Sequence, residues 1–568
     1  MSPAGRAGNV QGVDFASRCR LGHASLHIAM EPSSGRAAGL SREYCDNAVS
    51  GDVGVRRSFG ALAFAFLVAL IAPTAQGSNA SENPKIAQGN AAVERGDAAL
   101  ALRLYEEACN EGSGAGCLAA GYRYGIGRGT TQDKVRAREL VTAACDKGDM
   151  FGCAYFGAML VDGEGGSQDF GRANELFRRA CEAGEGFGCE MLSESYAEGR
   201  GVEANRAQAD DLLSRGCDVG EGSACYRLAV RFDETAAPTG IWTSAWAAII
   251  GSLLPETSPQ ATRPIPPPGE IVGGYRFRGG DPNSKDAWEP LSPPLYLRAC
   301  DREYGPGCTA LGSKHDEGDG VALDIDKANE FYRRGCELKD GRGCSNLGYN
   351  YKHGNGLPAS PRKAAELYQQ ACDLGAGRGC NNLGVMHEQG VGVARDVAKA
   401  IVLYQRACDV GDGLGCRNAG ISYEQGTGVS KDISRANTLY QKGCDAGDGA
   451  SCTNLGINFE EGNRLPVDLK RANELYNLGC EAGHGDGCTN LGANHGTGKG
   501  VTRNLIIASA FYGRGCDMGS GRGCVLLGFA YSSGNGVARD TSQALDFFKR
   551  GCDMGFELGC DEFKRDGR

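Results

Sequence analysis

The sequence predicts an all-α protein: a right-handed α/α solenoid of about twelve 36-residue helix-turn-helix repeats, each stapled by one disulfide. Three observations lead there. Cysteines recur every 36 positions, glycines keep the same register, and helix-capping residues recur with them. A fixed period in the 20–50 residue range is the mark of stacked supersecondary units. The 568-residue chain is 41% hydrophobic and 23% charged, which argues against wholesale disorder. Its 60 Lys+Arg against 70 Asp+Glu give a net charge of −10, with no support for nucleic-acid binding.

The cysteines set the frame. Cys109, Cys145, Cys181 and Cys217 follow at intervals of 36, and after a gap of 83 the series resumes with Cys300, Cys336, Cys372, Cys408, Cys444, Cys480, Cys516 and Cys552. Each has a partner eight positions on: Cys117, Cys153, Cys189, Cys225, Cys308, Cys344, Cys380, Cys416, Cys452, Cys488, Cys524 and Cys560. These pairs account for 24 of the 26 cysteines, and the gap equals one period plus an insertion of 47 residues. Closing a nine-residue loop restricts the unfolded chain by roughly 2.5 kcal/mol per bridge. Disulfides require an oxidising compartment. Zinc is the weaker reading, because no CxxC motif or regular histidine accompanies the pairs. No metal and no cofactor is implied.

The rest of each unit reads as two antiparallel helices. With the first cysteine of a unit as position 0, Asp133, Asp169, Asn205, Asp324, Ser360, Asp396, Asp432, Asp468, Asn504 and Asp540 all stand at position 24. Such residues cap helices, since their side chains accept from the free N–H groups of a first turn. Apolar residues at helical spacing follow, as in Ala364, Leu367, Tyr368 and Ala371. The other helix is expected to begin at the second cysteine and to end at a Gly-x-Gly turn such as Gly390-Val391-Gly392. Glycine at position 12 and alanine at position 28 let the two backbones approach closely. The 89 glycines of the chain are mostly this repeat.

Export is expected from an internal signal. Arg56 and Arg57 precede an apolar run from Phe59 to Ala72, followed by Pro73 and the small-x-small site Ala75-Gln76-Gly77. The run is too short to span a bilayer comfortably. Its depth in the chain points to translation starting near Val53 or Val55, and the unpaired Cys19 and Cys45 lie upstream of that point. The domain reading is therefore 1–54 untranslated or disordered, 55–77 signal peptide, 84–232 repeats, 233–293 insertion and 294–568 repeats. The destination is the periplasm or the exterior.

The pattern from Asn346-Leu347-Gly348 through Cys372, repeated from Asn382-Leu383-Gly384 through Cys408, resembles the Sel-1-like repeat, a relative of the tetratricopeptide repeat. The paired cysteines make the chain similar to the Helicobacter cysteine-rich protein family. That resemblance implies a secreted or periplasmic interaction protein, and it also brings an alternative, a weak penicillin-binding β-lactamase. Ser360-Pro361-Arg362-Lys363 matches the S-x-x-K nucleophile motif, which makes Ser360 and Lys363 the weak catalytic candidates. However, Ser360 occupies the capping position, and no S-D-N or K-T-G motif accompanies it. His315, His387 and His495 stand where other units carry Tyr, as core substitutes. The balance leans away from catalysis.

Binding has a clearer signature. Asn346, Asn382, Asn418, Asn454 and Asn490 occupy position 10 of five successive units, where their amides can grip the backbone of an extended peptide. The competing role is a hydrogen bond within or between repeats. The insertion carries an apolar stretch over 241–254, a candidate membrane-surface or partner contact, and a proline-rich run from Pro255 to Pro268 that favours extended structure. The expected partner is a protein or peptide, with peptidoglycan-related or β-lactam small molecules as the alternative and no nucleic acid.

Overall fold

The computed structural model describes residues 83–235, 271–272, 275–277 and 288–566. The leader 1–54, the signal 55–77, Cys19 and Cys45, the apolar stretch 241–254 and the Pro255–Pro268 run lie outside the described residues. The described chain is α-helical, with 25 helices of which 21 are 13 residues long. They form twelve antiparallel pairs and one further helix, Glu557–Asp566. Within each unit, successive helices pack on one another, which is how an α/α solenoid buries one stripe of every helix. Two compact units divide the described chain, one holding 83–235 with 271–343 and the other 344–566.

Local chemistry accounts for the uniform helix length. The second helix of each pair starts where the sequence places a cap: Asp133 Oδ1 accepts from Arg136 N, Asp396 Oδ1 from Lys399 N and Asp468 Oδ1 from Arg471 N, each at 2.9 Å. The same capping residue donates its own N–H back to the first helix, as from Asp396 to His387 O at 2.8 Å and from Asp432 to Tyr423 O at 2.8 Å. One residue thus starts a helix and pins the preceding loop. The first helix stops at a left-handed glycine, such as Gly390 at φ 72°, a conformation that costs a side-chain-bearing residue more.

The first helices begin earlier than the sequence suggests. Gly114–Ile126 starts three residues before Cys117 because Ser113 caps it, and Asp149, Asp412, Asp448 and Ser520 do the same for later pairs. Each second cysteine therefore sits in a first helical turn and each first cysteine in a last one. Eleven bridges join them, from Cys109–Cys117 to Cys552–Cys560, with Cα–Cα distances of 4.4–4.6 Å. Cys336 and Cys344 are disulfide-bonded as well. The bridges cross from one pair to the next. In a stack stabilised only by nearest-neighbour interfaces, that is where fraying begins.

Inside each pair, the small residues do what their spacing implies. A methyl group built on Gly384 would stand 2.6 Å from Tyr404 Cε1, and one on Gly157 2.6 Å from Phe177 Cε1. Ala400 and Ala173 complete those contacts with no exposure. The buried tyrosines use their hydroxyls locally, with Tyr404 Oη donating to Glu388 at 2.7 Å and Tyr476 Oη to Glu460 at 2.6 Å.

The insertion interrupts one pair rather than separating two. Gly222–Thr235 and Ser292–Asp301 pack on each other as any pair does, with the inserted chain between them. Tyr296 Oη donates to Asp233 at 2.7 Å and Lys314 Nζ meets the same carboxylate at 2.8 Å, which closes the pair across the interruption. The described part of the insertion forms a small antiparallel sheet of Ile271–Val272, Tyr275–Phe277 and Trp288–Pro290, in register Val272↔Tyr275 and Phe277↔Trp288.

Candidate binding surface

The first helices of successive pairs also touch one another within each unit, and they form its inner row. On the inner row of 344–566, the five asparagines line up as the 36-residue period requires, all partly exposed. Their amides are not equivalent. Asn418 Nδ2 donates to Asn381 Oδ1 of the preceding repeat at 2.8 Å, and Asn490 Oδ1 accepts from Arg522 Nη1 at 2.7 Å. Asn346, Asn382 and Asn454 have no hydrogen-bond partner among the described residues. The five therefore divide into two that tie repeats together and three whose partly exposed amides are unpaired among the described residues.

Position 9, next to the asparagines, is given to contacts between repeats: Arg417 meets Asp448 at 3.3 Å, Thr453 meets His484 at 2.9 Å and Thr489 meets Ser520 at 3.1 Å. A second asparagine set, not anticipated from sequence, lies on the second helices. Asn174, Asn437 and Asn473 donate to the carbonyls of Arg200, Asn463 and Lys499 at 2.7–3.0 Å, holding the turn of the next repeat. Their 36-residue spacing between Asn437 and Asn473 was the available signal. These asparagines are structural.

The inner row of the other unit is charged and aromatic. Arg227 donates to Glu190 at 2.9 Å and to Glu194 at 3.0 Å. The Ser223 hydroxyl lies against both Glu190 and Glu221, at 2.9 Å from the latter. One hydroxyl proton cannot serve two carboxylates, so this contact set is complete when one carboxyl holds a proton. Burial pushes the Glu221 carboxyl up to about 7, with Glu190 and Glu185 adding repulsion. Burial also raises Asp149 and Glu185, which occupy the same position in the two preceding repeats. Phe151 and Phe187 pack at 5.4 Å on neighbouring first helices.

The catalytic candidates are placed as follows. Ser360 Oγ accepts from Lys363 N at 3.5 Å as a helix cap, while Lys363 Nζ lies over the Tyr351 ring, 5.2 Å from its centroid. The lysine ammonium is therefore engaged with the ring. His387 Nδ1 lies 3.1 Å from Ala394 O and His315 Nδ1 3.2 Å from Ala322 O, tying down loops. The rings of His315 and His495 stack on Phe331 and Phe511. Among the described residues, no group of three or more His, Cys, Asp or Glu is arranged to hold a metal ion.

The fold and its inner rows define a disulfide-stapled scaffold of helical pairs, a class that works by presenting repeated surfaces to other molecules. The Sel1 repeat model matches residues 87–113, 114–149, 151–185, 187–220, 306–340, 341–375, 377–412, 413–448, 449–484, 485–520 and 521–556. The chain belongs to the Sel1 repeat family. The pair that the insertion splits is the one those matches pass over. Among solved structures, the chain is similar to a protective antigen of uropathogenic Escherichia coli with an SLR fold, at 23% identity over 82% of this chain and 90% of that one, TM-score 0.42. It is also similar to a Sel1 repeat protein from Oxalobacter formigenes, at 25% identity over 43% and 99%, TM-score 0.40. A third is Helicobacter pylori cysteine-rich protein B, at 30% identity over 22% and 88%, TM-score 0.19. No curated protein matched the sequence.

Proposed function

We propose that this is an exported scaffold, periplasmic or secreted, that binds an extended peptide segment of another protein along the inner helices of 344–566. The observation that carries the reading is the partly exposed row of Asn346, Asn382 and Asn454, whose amides offer a donor and an acceptor each and have no partner among the described residues. A carboxamide pairs with both the N–H and the C=O of a main chain, so it recognises extended backbone whatever its side chains. The disulfide density supports an oxidising, extracytoplasmic setting, and no described helix is long and apolar enough to cross a membrane. The β-lactam hydrolase alternative rests on the cysteine-rich family resemblance alone.

The test is selection from a displayed random peptide library on the oxidised full chain, followed by affinity measurement on an Asn382→Ala, Asn454→Ala double variant. Loss of about tenfold or more in affinity is expected, on the order of 1 kcal/mol for each lost hydrogen bond. Peptides that bind wild type and variant alike would overturn the assignment to these amides.

A further inference from the structure

The bridges differ in one respect that their uniform spacing hides. Every half-cystine from Cys109 to Cys524 is buried, none more than 7% exposed. Cys552 and Cys560 are both partly exposed. Covering groups from the following repeat protect several of the others. Met518 Sδ lies 3.6 Å from Cys488 Sγ, Met554 Sδ 3.7 Å from Cys524 Sγ, and Arg302 Nη1 3.5 Å from Cys225 Sγ. No described residue plays this part for Cys560.

We infer that Cys552–Cys560 is a thiol–disulfide exchange site, open to a dithiol reductant or a thiol-bearing partner while the other bridges stay closed. Exchange needs in-line access of a thiolate to one sulfur, and it runs faster when the departing sulfur is the better thiolate. The two sulfurs differ in that respect. Cys552 is the penultimate residue of Thr541–Asp553, and Cys560 is the fourth residue of Glu557–Asp566. A thiolate in a first helical turn is favoured by the free N–H groups there, whereas one in a last turn faces carbonyls. Attack therefore falls on Cys552 Sγ. A bond forms between the reagent sulfur and Cys552, the Cys552–Cys560 bond breaks, and Cys560 leaves as thiolate and takes a proton. With a dithiol, the second reagent thiolate attacks its own sulfur in the mixed disulfide and releases Cys552. Two electrons and two protons pass to the protein, and the reagent closes to its cyclic disulfide.

The experiment treats the full oxidised chain with graded dithiothreitol under native conditions. Free thiols are alkylated, the rest are reduced after denaturation and alkylated with a heavy reagent, and every cysteine is scored by peptide mass. Cys552 and Cys560 are expected to label at a reductant concentration at least about tenfold below that of any other pair, with helicity by circular dichroism unchanged. A parallel arm with glutathione is expected to leave the mixed disulfide on Cys552. Another pair opening first, or many opening together, overturns the site. Glutathione found on Cys560 overturns the direction of attack.

Discussion

The two units share one skeleton and differ in what their inner helices carry. In 83–235 with 271–343, the inner row sets Arg227 between Glu190 and Glu194, and partly buried carboxyls recur at one repeat position in Asp149, Glu185 and Glu221. In 344–566, the corresponding row is a run of neutral asparagines, three of them unpaired among the described residues. The charged row uses its hydrogen-bonding capacity on itself, since Arg227 and Ser223 are both engaged by neighbouring glutamates. The amide row leaves part of its capacity unused among the described residues. At the asparagine position itself the charged row places Arg227, so the same skeleton carries an ion pair there in one unit and a neutral amide in the other.

If the skeleton is common, a lesion in it must cost the same in either unit. Leucine at Gly157 or at Gly384 would drive a side chain into the ring of Phe177 or Tyr404, both buried. Overpacking of this kind costs about 3 kcal/mol. The expected result is an equal loss of hydrogen-exchange protection in Phe170–Glu182 for one variant and Val397–Asp409 for the other, with distant helices unaffected. A neutral outcome in one unit alone would break the claim that the packing is shared.

The carboxyls at that repeat position give both units a pH response, because burial raises Asp412 of 344–566 as it raises Asp149, Glu185 and Glu221. Glu221 ionises near 7 in the folded chain, against an ordinary value of 4.5. The folded state therefore holds a proton that the unfolded chain releases earlier. Its stabilisation is full below about pH 4.5 and is lost as pH rises through about 7, an effect on the order of 3 kcal/mol. Glu221→Gln, neutral throughout, should protect Gly222–Thr235 better than wild type at pH 8 and about equally at pH 5, read by hydrogen exchange with intrinsic rates corrected for pH. Identical pH slopes for the two proteins would remove Glu221 as the cause.

The sequence made the skeleton legible because packing repeats. Cysteine pairs, caps at position 24 and glycines at position 12 each recur with period 36, and each does in the structure what its chemistry requires. Two features lay beyond that reading. The early start of the first helices depends on caps such as Ser113 and Asp149, whose chemical type varies from unit to unit and so leaves no clean column. The pairing of Asn418 with Asn381 depends on which residue the next repeat places opposite, a contact 37 positions away that periodicity alone does not reveal. The asparagines were legible as a repeated row, and which of them pair with a neighbouring repeat was not.

That division gives the smallest and sharpest prediction. Asn418 and Asn382 occupy the same position in adjacent repeats, so propensity and exposure are matched, and only the partner differs. Replacing Asn418 by alanine removes the bond to Asn381 and leaves the Asn381 side chain, which is 4% exposed, without that donor. The cost should be about 1 kcal/mol, because a buried acceptor loses its partner. Replacing Asn382 breaks no hydrogen bond among the described residues and should stay within about 0.5 kcal/mol of wild type. Urea unfolding of the oxidised chain, followed through exchange at Gly377–Gln389 and Gly413–Gln425, reads both values. Peptide affinity should show the reverse order, with Asn382→Ala costing more than Asn418→Ala. Parallel losses in stability and affinity would mean that the asparagine row is a brace throughout, like the charged row of the other unit.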